Sequence, residues 1–197
     1  MADAGRVVAG SAKGLRLLAP GQGTRPLSDR VKQALFGALE ADGLLGPDDA
    51  FLDLFAGSGA AGIEALSRGC GRAVFVERDA GACRVIAANL ERSRLAGGSV
   101  VRADALALLT APFDAGGGPF SGCLIDPPYD TRLVEPVLEL LGDPGRGWLT
   151  PGAVVVAKHF WRDQPAAQAG RLWRYRERSF GETMLSFYRL GQAETKP

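Results

Sequence analysis

The segment CLIDPPYD, residues 123–130, combines residue types that could hold a planar amine for chemistry. Asp126 can accept a hydrogen bond from an NH₂ group. The carbonyl of Pro127 can accept a second one, because Pro127 and Pro128 restrict the backbone. Tyr129 can stack on the ring that carries the amine. Since Asp-Pro is also ordinary turn chemistry, the segment indicates such a site only in combination with other features.

A second motif with chemical meaning is FLDLFAGSGAAGIEAL, which places glycines at positions 57, 59 and 62. This G-x-G-x-x-G spacing, after a strand and into a helix, is typical of Rossmann-like cofactor sites. Glycines let the backbone approach a ligand closely, and the N-terminus of the helix favours a negative group. Asp53 precedes Gly57 within the strand itself. A carboxylate there is unfavourable beside a pyrophosphate but suits an ammonium group.

Three acids, Asp53, Glu77 and Asp104, fall at the ends of successive predicted strands. Each acid alone is more typical of a helix N-cap or a loop. Together, at the edge of a sheet where ligands bind, they favour a cofactor with an ammonium, a ribose diol and an adenine amine. S-adenosylmethionine has these groups, a sulfonium charge and no phosphates.

The elements that position these residues follow from the pattern of apolar runs. From residue 50 onward, short apolar runs alternate with helix-compatible stretches, which predicts a mostly parallel sheet covered by helices on both faces. After Trp161, alternating residues around Gly181 predict an antiparallel C-terminal hairpin. The predicted fold class is therefore α/β with a seven-stranded sheet. Predicted strands cover residues 51–55, 73–77, 99–101, 122–125 and 153–157, and predicted helices cover 60–69, 80–95, 104–110 and 132–141.

Residues 1–48 are predicted to form an extension, and residues 49–197 the main domain. Arg6–Gly10 and Leu15–Leu18 predict a short hairpin. A helix is predicted to start near Ser28, a favourable N-cap residue. Val31, Leu35 and Leu39 would face inward. Arg30 and Lys32 lie off that stripe, so both are predicted to be available to a ligand.

Composition and charge limit the classes of function. The chain has 197 residues, and no run approaches the length of a membrane span. A cytoplasmic location is the default expectation. Three cysteines without CxxC spacing and one histidine, His159, give little support to a metal site or a Ser-His-Asp hydrolase. The net charge of +1 conceals basic ends, with +4 over residues 1–34, −6 over 35–160 and +3 over 161–190.

Several segments together resemble the RsmD family, the 16S rRNA (guanine-966-N2)-methyltransferases. They are RVVAGSAKGLRLLAP, TRPLSDRVKQALF, FLDLFAGSGAAGIEALSRG, VFVERD, LIDPPYD and SFGETMLSFYRL, in the family's order over roughly residues 5–190. The resemblance implies a class I S-adenosylmethionine-dependent methyltransferase fold with a small N-terminal hairpin extension. It also implies methylation of a guanine N2 in 16S rRNA, within the 30S subunit or a late assembly intermediate, by a monomer. The sequence departs from the family pattern at Lys32-Gln33, Gly37 and Lys158.

The resemblance also implies roles for individual residues. Asp53 and the turn Phe55, Ala56, Gly57, Ser58 and Gly59 would hold the methionine part of the cofactor. Glu77 and Arg78 would lie at its ribose, and Asp104 and Ala105 at its adenine. Arg25, Ser28, Asp29 and Arg30 would border it from the N-terminal side, and Asp126, Pro127, Pro128 and Tyr129 would hold the guanine. Predicted RNA contacts are Lys13, Arg16, Arg25 and Lys32, whereas Trp173–Arg176 more often signals ordinary hairpin packing.

Other functions stay open at this point. An NAD-linked oxidoreductase could use the same glycines, and an RNA-binding assembly factor could keep the fold without catalysis. Related tetrapeptides serve adenine N6, cytosine N4 and the glutamine side chain, so the acceptor could also be adenine in nucleic acid or a protein glutamine. The basic ends argue mildly for RNA.

Overall fold

A computed structural model describes residues 3–21, 27–111, 118–128 and 132–191. Within those ranges, no helix is long and apolar enough to cross a membrane. The helices are α1 (Asp29–Ala41), α2 (Ala60–Ser67), α3 (Ala80–Ser93), α4 (Ala105–Thr110) and α5 (Val134–Gly142).

The main sheet has the order β5-β4-β3-β6-β7-β10-β9-β8. Strands β3 to β7 pair in parallel, and β10 and β9 continue the sheet in antiparallel pairing. The strands are β1 (Asp3–Arg6), β2 (Arg16–Leu18), β3 (Ala50–Leu54), β4 (Arg72–Glu77), β5 (Gly98–Arg102), β6 (Phe120–Ile125), β7 (Leu149–Phe160), β8 (Gln168–Ala169), β9 (Leu172–Phe180) and β10 (Thr183–Leu190).

The predicted α/β class, parallel sheet and C-terminal hairpin are confirmed. Seven of the sheet strands correspond to the predicted ones, and the two-residue strand β8 adds an eighth at the edge. Strand β7 is longer than the predicted 153–157, because β10 pairs along it as far as Phe160 opposite Thr183.

Two apolar layers enclose the sheet, one on each face. The first cluster joins α1, α2 and α3 to alternate residues of the central strands, such as Phe51, Leu124 and Val156. The second joins α4 and α5 to the intervening residues, such as Leu52 and Ile125. This alternation puts Asp53, Asp126 and Lys158, which continue the first set, on one face of three neighbouring strands.

The N-terminal hairpin β1-β2 is fixed to α2 through buried polar contacts. The fully buried carboxylate of Glu64 accepts hydrogen bonds from Val8 N at 2.7 Å and Ala9 N at 3.0 Å. One turn further along α2, Ser67 O accepts from Ser11 N at 2.7 Å. These contacts attach the hairpin to the C-terminal half of α2.

Helix α1 begins where the sequence predicts. Ser28 is its N-cap, and its Oγ accepts from Val31 N at 3.3 Å. The prediction that Lys32 is available to a ligand is wrong, because its side chain is fully buried. The hairpin covers this side of the helix, and the Lys32 ammonium donates to Arg6 O. Burial lowers the pKa of Lys32, while the negative charge of Glu64 opposes that shift.

The same helix also contacts the C-terminal hairpin. At its first turn, the Arg30 guanidinium lies 5.8 Å from the centre of the Phe180 ring. At its end, the Asp42 carboxylate accepts from Tyr175 Oη and Arg189 Nη2, both at 2.8 Å. Helix α1 thus joins the two basic segments of the chain on one face of the sheet.

Candidate active site

A cavity of about 720 Å³ opens at the carboxyl ends of the parallel strands. Ligands of open α/β sheets bind at this edge, where the strand order reverses between β3 and β6. Its walls come from β3, the glycine turn, β4, the start of α4, the end of β6 and the N-terminal hairpin. The charged residues among them are Asp53, Glu77, Arg78, Asp79, Asp104, Asp126 and Lys158.

The turn between β3 and α2 has a strained backbone. Phe55 has φ = 63°, an uncommon value for a residue with a side chain, and Gly57 has φ = 56°. Gly62 serves a different purpose, since a Cβ atom there would lie 2.3 Å from Cε1 of Phe75. Glycine at that position lets α2 pack directly on β4. The turn is therefore held close to the sheet, with its backbone lining the cavity.

Asp53 is the most deeply buried acid at this edge, with an exposed fraction of 2%. Its Oδ2 accepts from Gly62 N at 2.9 Å, which ties the strand to the first turn of α2. Burial raises the pKa of Asp53 to about 8, and the charges of Asp126 and Glu77 act in the same direction. A positively charged ligand group beside it would favour the ionised form.

Glu77 and Asp104 both line the cavity and both contact backbone amides. Glu77 accepts from Gly57 N at 2.9 Å and from Asp79 N at 2.8 Å. Asp104 is the N-cap of α4 and accepts from Ala107 N at 3.1 Å. These contacts orient the two carboxylates, each of which has further lone pairs for a ligand's hydroxyl or amine.

Asp126 follows the last residue of β6 and forms an ion pair with Lys158 of β7. The Asp126 Oδ1 to Lys158 Nζ distance is 2.6 Å. The strand register explains the pair. Ile125 lies opposite Ala157 in the parallel pairing of β6 with β7, so the next residues, Asp126 and Lys158, are neighbours. Burial raises the pKa of Asp126 above its ordinary value, and Lys158 opposes this shift through its charge and hydrogen bond.

A second cavity of about 510 Å³ adjoins the first. The two share Asp126, Pro127, Pro128, Leu133 and Lys158 as lining residues. The second cavity is otherwise lined mainly by the segment before α5 and by the residues that follow Lys158. Two ligands could therefore meet at the Asp126–Lys158 pair, one from each cavity.

Most of the predicted site residues are brought together around the first cavity. Its lining includes Asp53, Phe55, Ala56, Gly57, Ser58, Glu77, Arg78, Asp104, Ala105, Asp126, Pro127 and Pro128. Among the predicted cofactor and acceptor residues that the structure describes, Gly59, Ser28 and Arg30 are outside that lining, as are the predicted RNA contacts Lys13, Arg16 and Lys32. Gly59 instead caps α2 with φ = 78°. Tyr129 and Arg25 lie outside the described residues.

Sequence reasoning did not assign Lys158 to the site, nor Leu27, Asp79 or Leu133, which also line the first cavity. The signal for Lys158 is its place at the end of the strand beside β6. Leu27, Asp79 and Leu133 adjoin predicted motifs, but each has an ordinary packing or capping role that gives no functional signal.

The charges that line the first cavity favour a cationic ligand. Five acids and two cations, Arg78 and Lys158, leave a formal excess of negative charge. A pyrophosphate would be repelled there, whereas an ammonium or sulfonium group would be attracted. In the described ranges, the structure brings together no group of three or more metal-binding side chains.

The sequence matches the family model described as conserved hypothetical protein 95 over residues 5–189. It is 36% identical over 188 residues to "Putative rRNA methyltransferase YlbH" of Bacillus subtilis, covering 93% of this chain and 98% of that protein. It is 33% identical over 194 residues to "Ribosomal RNA small subunit methyltransferase D" of Escherichia coli K12, covering 97% and 91%.

The fold is shared with a solved structure named "Putative methyltransferase yhhF from Escherichia coli". The TM-score is 0.83 at 28% sequence identity, and the match covers 94% of this chain and 97% of that one. The Rossmann-like methyltransferase fold predicted from the sequence is therefore confirmed.

Proposed function

Because the chain belongs to the RsmD family of ribosomal RNA methyltransferases, we propose that it methylates the N2 amine of a guanine in 16S rRNA. The observation that carries this proposal is the meeting of two cavities at Asp126. One cavity has the charge and volume for a cationic cofactor, and the other has room for a planar acceptor.

The methyl donor is S-adenosyl-L-methionine, which supplies an electrophilic methyl group on its sulfonium when bound. The cavity of about 720 Å³ fits it, and the excess of acids suits its two positive charges. Asp53 would lie at the ammonium group, and Glu77 would accept from the ribose hydroxyls. Asp104 with Ala105 would contact the adenine. The N-terminus of α2, which starts at Ala60 beside the cavity, favours the carboxylate.

The acceptor guanine would enter from the second cavity. Asp126 accepts one N–H of its N2 amine, and the carbonyl of Pro127 accepts the other. The paired prolines fix that carbonyl relative to the carboxylate. Tyr129, which lies outside the described residues, would stack on the base.

Catalysis then depends mainly on position. An exocyclic amine is a poor nucleophile because its lone pair is delocalised into the ring. Holding both protons out of the ring plane returns the lone pair to the nitrogen and aims it at the first cavity. Placing two reactants in contact in this way supplies a large share of a rate enhancement. Asp126 is also positioned to take the proton that the nitrogen loses.

The RNA partner and its context are part of the same proposal. Lys13 and Arg16 are exposed on the N-terminal hairpin, where they could contact phosphates. A guanine in folded RNA has to leave its stack to reach Asp126. We take the substrate to be the 30S subunit or a late assembly intermediate, and the enzyme to act as a cytoplasmic monomer.

The test uses labelled S-adenosylmethionine and small ribosomal subunits that lack the modification. Nuclease mapping and mass spectrometry of the labelled product should find N2-methylguanosine in 16S rRNA. Detection of N6-methyladenosine or methylglutamine instead would show that the acceptor is an adenine or a protein glutamine. Binding of NAD in preference to S-adenosylmethionine would contradict the cofactor, and cofactor binding with no transfer would favour a non-catalytic assembly factor.

Asp126→Ala tests the role of the carboxylate. We expect a loss of kcat of roughly 10²-fold or more, the usual range for removing a group that acts in proton transfer. The Kd for S-adenosylhomocysteine should change little, since Asp53, Glu77 and Asp104 are retained. The control is Glu139→Ala, an exposed acid on α5 away from the lining of both cavities. Wild-type turnover by Asp126→Ala would refute the mechanism.

A further inference from the structure

The ion pair between Asp126 and Lys158 lies in the wall shared by the two cavities. We propose that Lys158 is a positioning residue for methyl transfer, which holds the Asp126 carboxylate charged and in one orientation towards the acceptor amine. This inference rests on the proposed function and adds a residue to it. Lys158 acts through Asp126, and no contact between Lys158 and the substrate is required.

The geometry gives Lys158 control of the orientation of the carboxylate. The 2.6 Å contact is made by Oδ1 of Asp126, and only 10% of the Lys158 side chain and 20% of the Asp126 side chain are exposed. A short, largely buried and charge-assisted contact limits rotation of the carboxylate. With Oδ1 directed to β7, the amine of the acceptor is expected to donate to Oδ2.

The neighbouring charges explain why a cation is needed at this position. Asp53 on β3 faces the same cavity, and the charge of Asp126 helps to raise the pKa of Asp53, so two ionised carboxylates side by side are unfavourable there. On the other side, the second cavity adds Arg132, Glu135, His159 and Asp163, and burial lowers the pKa of His159. Burial raises the pKa of Asp126, and Lys158 is the cation that opposes the shift. A protonated Asp126 would offer a hydrogen-bond donor to an amine that needs an acceptor.

Two substitutions separate positioning from packing. Lys158→Met keeps most of the length of the side chain but removes its charge, and Lys158→Arg keeps the charge. The matched control is Arg92→Met, which removes one positive charge from an exposed position on α3. Each protein is assayed on small subunits with saturating S-adenosylmethionine, and kcat is measured from about pH 5.5 to 9.5.

We expect the acidic limb of the kcat profile to move to higher pH in Lys158→Met. Methyl transfer needs ionised Asp126, so kcat rises as pH passes through the pKa of that group. Loss of Lys158 raises this pKa, and each pH unit by which the limb moves lowers kcat on it roughly tenfold. The deficit should nearly vanish at alkaline pH. In Lys158→Arg and Arg92→Met, the acidic limb of kcat should stay at its wild-type pH. In an Asp126→Asn background, the further change Lys158→Met should not lower kcat.

Three outcomes would overturn the inference. In the first, the acidic limb of the kcat profile of Lys158→Met coincides with that of the wild type. In the second, kcat of Lys158→Met falls equally at every pH and the melting temperature falls with it. The second result would mean that Lys158 only stabilises the fold. Additive losses in the double variant would also exclude action through Asp126. If the wild-type protein methylates no subunit, the proposed function itself is contradicted. That result therefore distinguishes failure of the proposed function from failure of the inference about Lys158.

Discussion

Asp53 is an acid that the fold keeps in an unfavourable environment. It is buried, it accepts a hydrogen bond from Gly62 N, and its pKa is raised to about 8 by burial and by two nearby acids. Such strongly perturbed groups in a cavity are typical of functional sites. The protein gives up stability here to keep a carboxyl group where we propose that the ammonium of the cofactor binds.

Asp53→Asn should make the stability of the unliganded protein less dependent on pH. The pKa of Asp53 is about 8 in the folded protein, whereas the ordinary pKa of an aspartate side chain is 3.8. The contribution of Asp53 to wild-type stability is therefore fully present below about pH 4 and is lost as the pH rises towards 8. The variant should gain about 1.4 kcal/mol of unfolding free energy relative to wild type per pH unit in that window. Urea denaturation at a series of pH values measures it, and a difference independent of pH would contradict the assignment.

At the level of elements, the parts of the site that local sequence determines are predicted well. The strand, glycine turn and helix around Asp53 follow from an apolar run and glycine spacing, and the same holds for the strand that ends at Asp126. Lys158 and Lys32 are not placed correctly by sequence patterns, because their environments depend on other elements. Strand register pairs Lys158 with Asp126, and the hairpin that covers α1 buries Lys32. No local periodicity carries that information.

Glu64 should be the main polar attachment of the N-terminal hairpin. It accepts from two hairpin amides and from Arg68 Nε at 2.8 Å, and it is fully buried. Glu64→Ala removes the acceptor of both half-buried hairpin amides and leaves Arg68 with Glu40 as its remaining ion-pair partner, so we expect a loss of about 3–5 kcal/mol in unfolding free energy. Glu91→Ala, at an exposed position on α3, is the control and should stay within about 0.5 kcal/mol. A loss below about 1 kcal/mol for Glu64→Ala would show that apolar packing alone holds the hairpin.

At the scale of the whole molecule, α1 brings the basic ends of the chain to one side of the sheet. The hairpin that carries Lys13 and Arg16 runs along α2, from the cavity to the opposite edge of the sheet. The C-terminal hairpin contacts both ends of α1. A net charge of +1 therefore describes the protein poorly, because cations outnumber acids only in residues 1–34 and 161–190, the two basic segments that α1 joins.

Lys13→Glu with Arg16→Glu tests whether the N-terminal hairpin binds phosphates. Arg16 already pairs with Asp3 at 2.6 Å, so RNA has to compete for it. We expect weaker binding to 16S rRNA and a decrease of about one in the slope of log K against log salt for each phosphate that is no longer bound. Arg92→Glu with Arg94→Glu makes the same change in net charge at exposed positions on and just after α3. Equal effects of the two pairs would indicate a general charge effect, and an unchanged slope would exclude phosphate binding by Lys13 and Arg16.

The contacts of α1 with the last two long strands also constrain the order in which the chain can mature. Asp42 meets Tyr175 across 133 positions of sequence. While the polypeptide is being synthesised, α1 can form early, but its outer contacts stay incomplete until β9 and β10 have left the ribosomal tunnel. Long-range pairing of this kind slows folding. A nascent chain therefore completes this face of the sheet last, when synthesis of the C-terminal hairpin is finished.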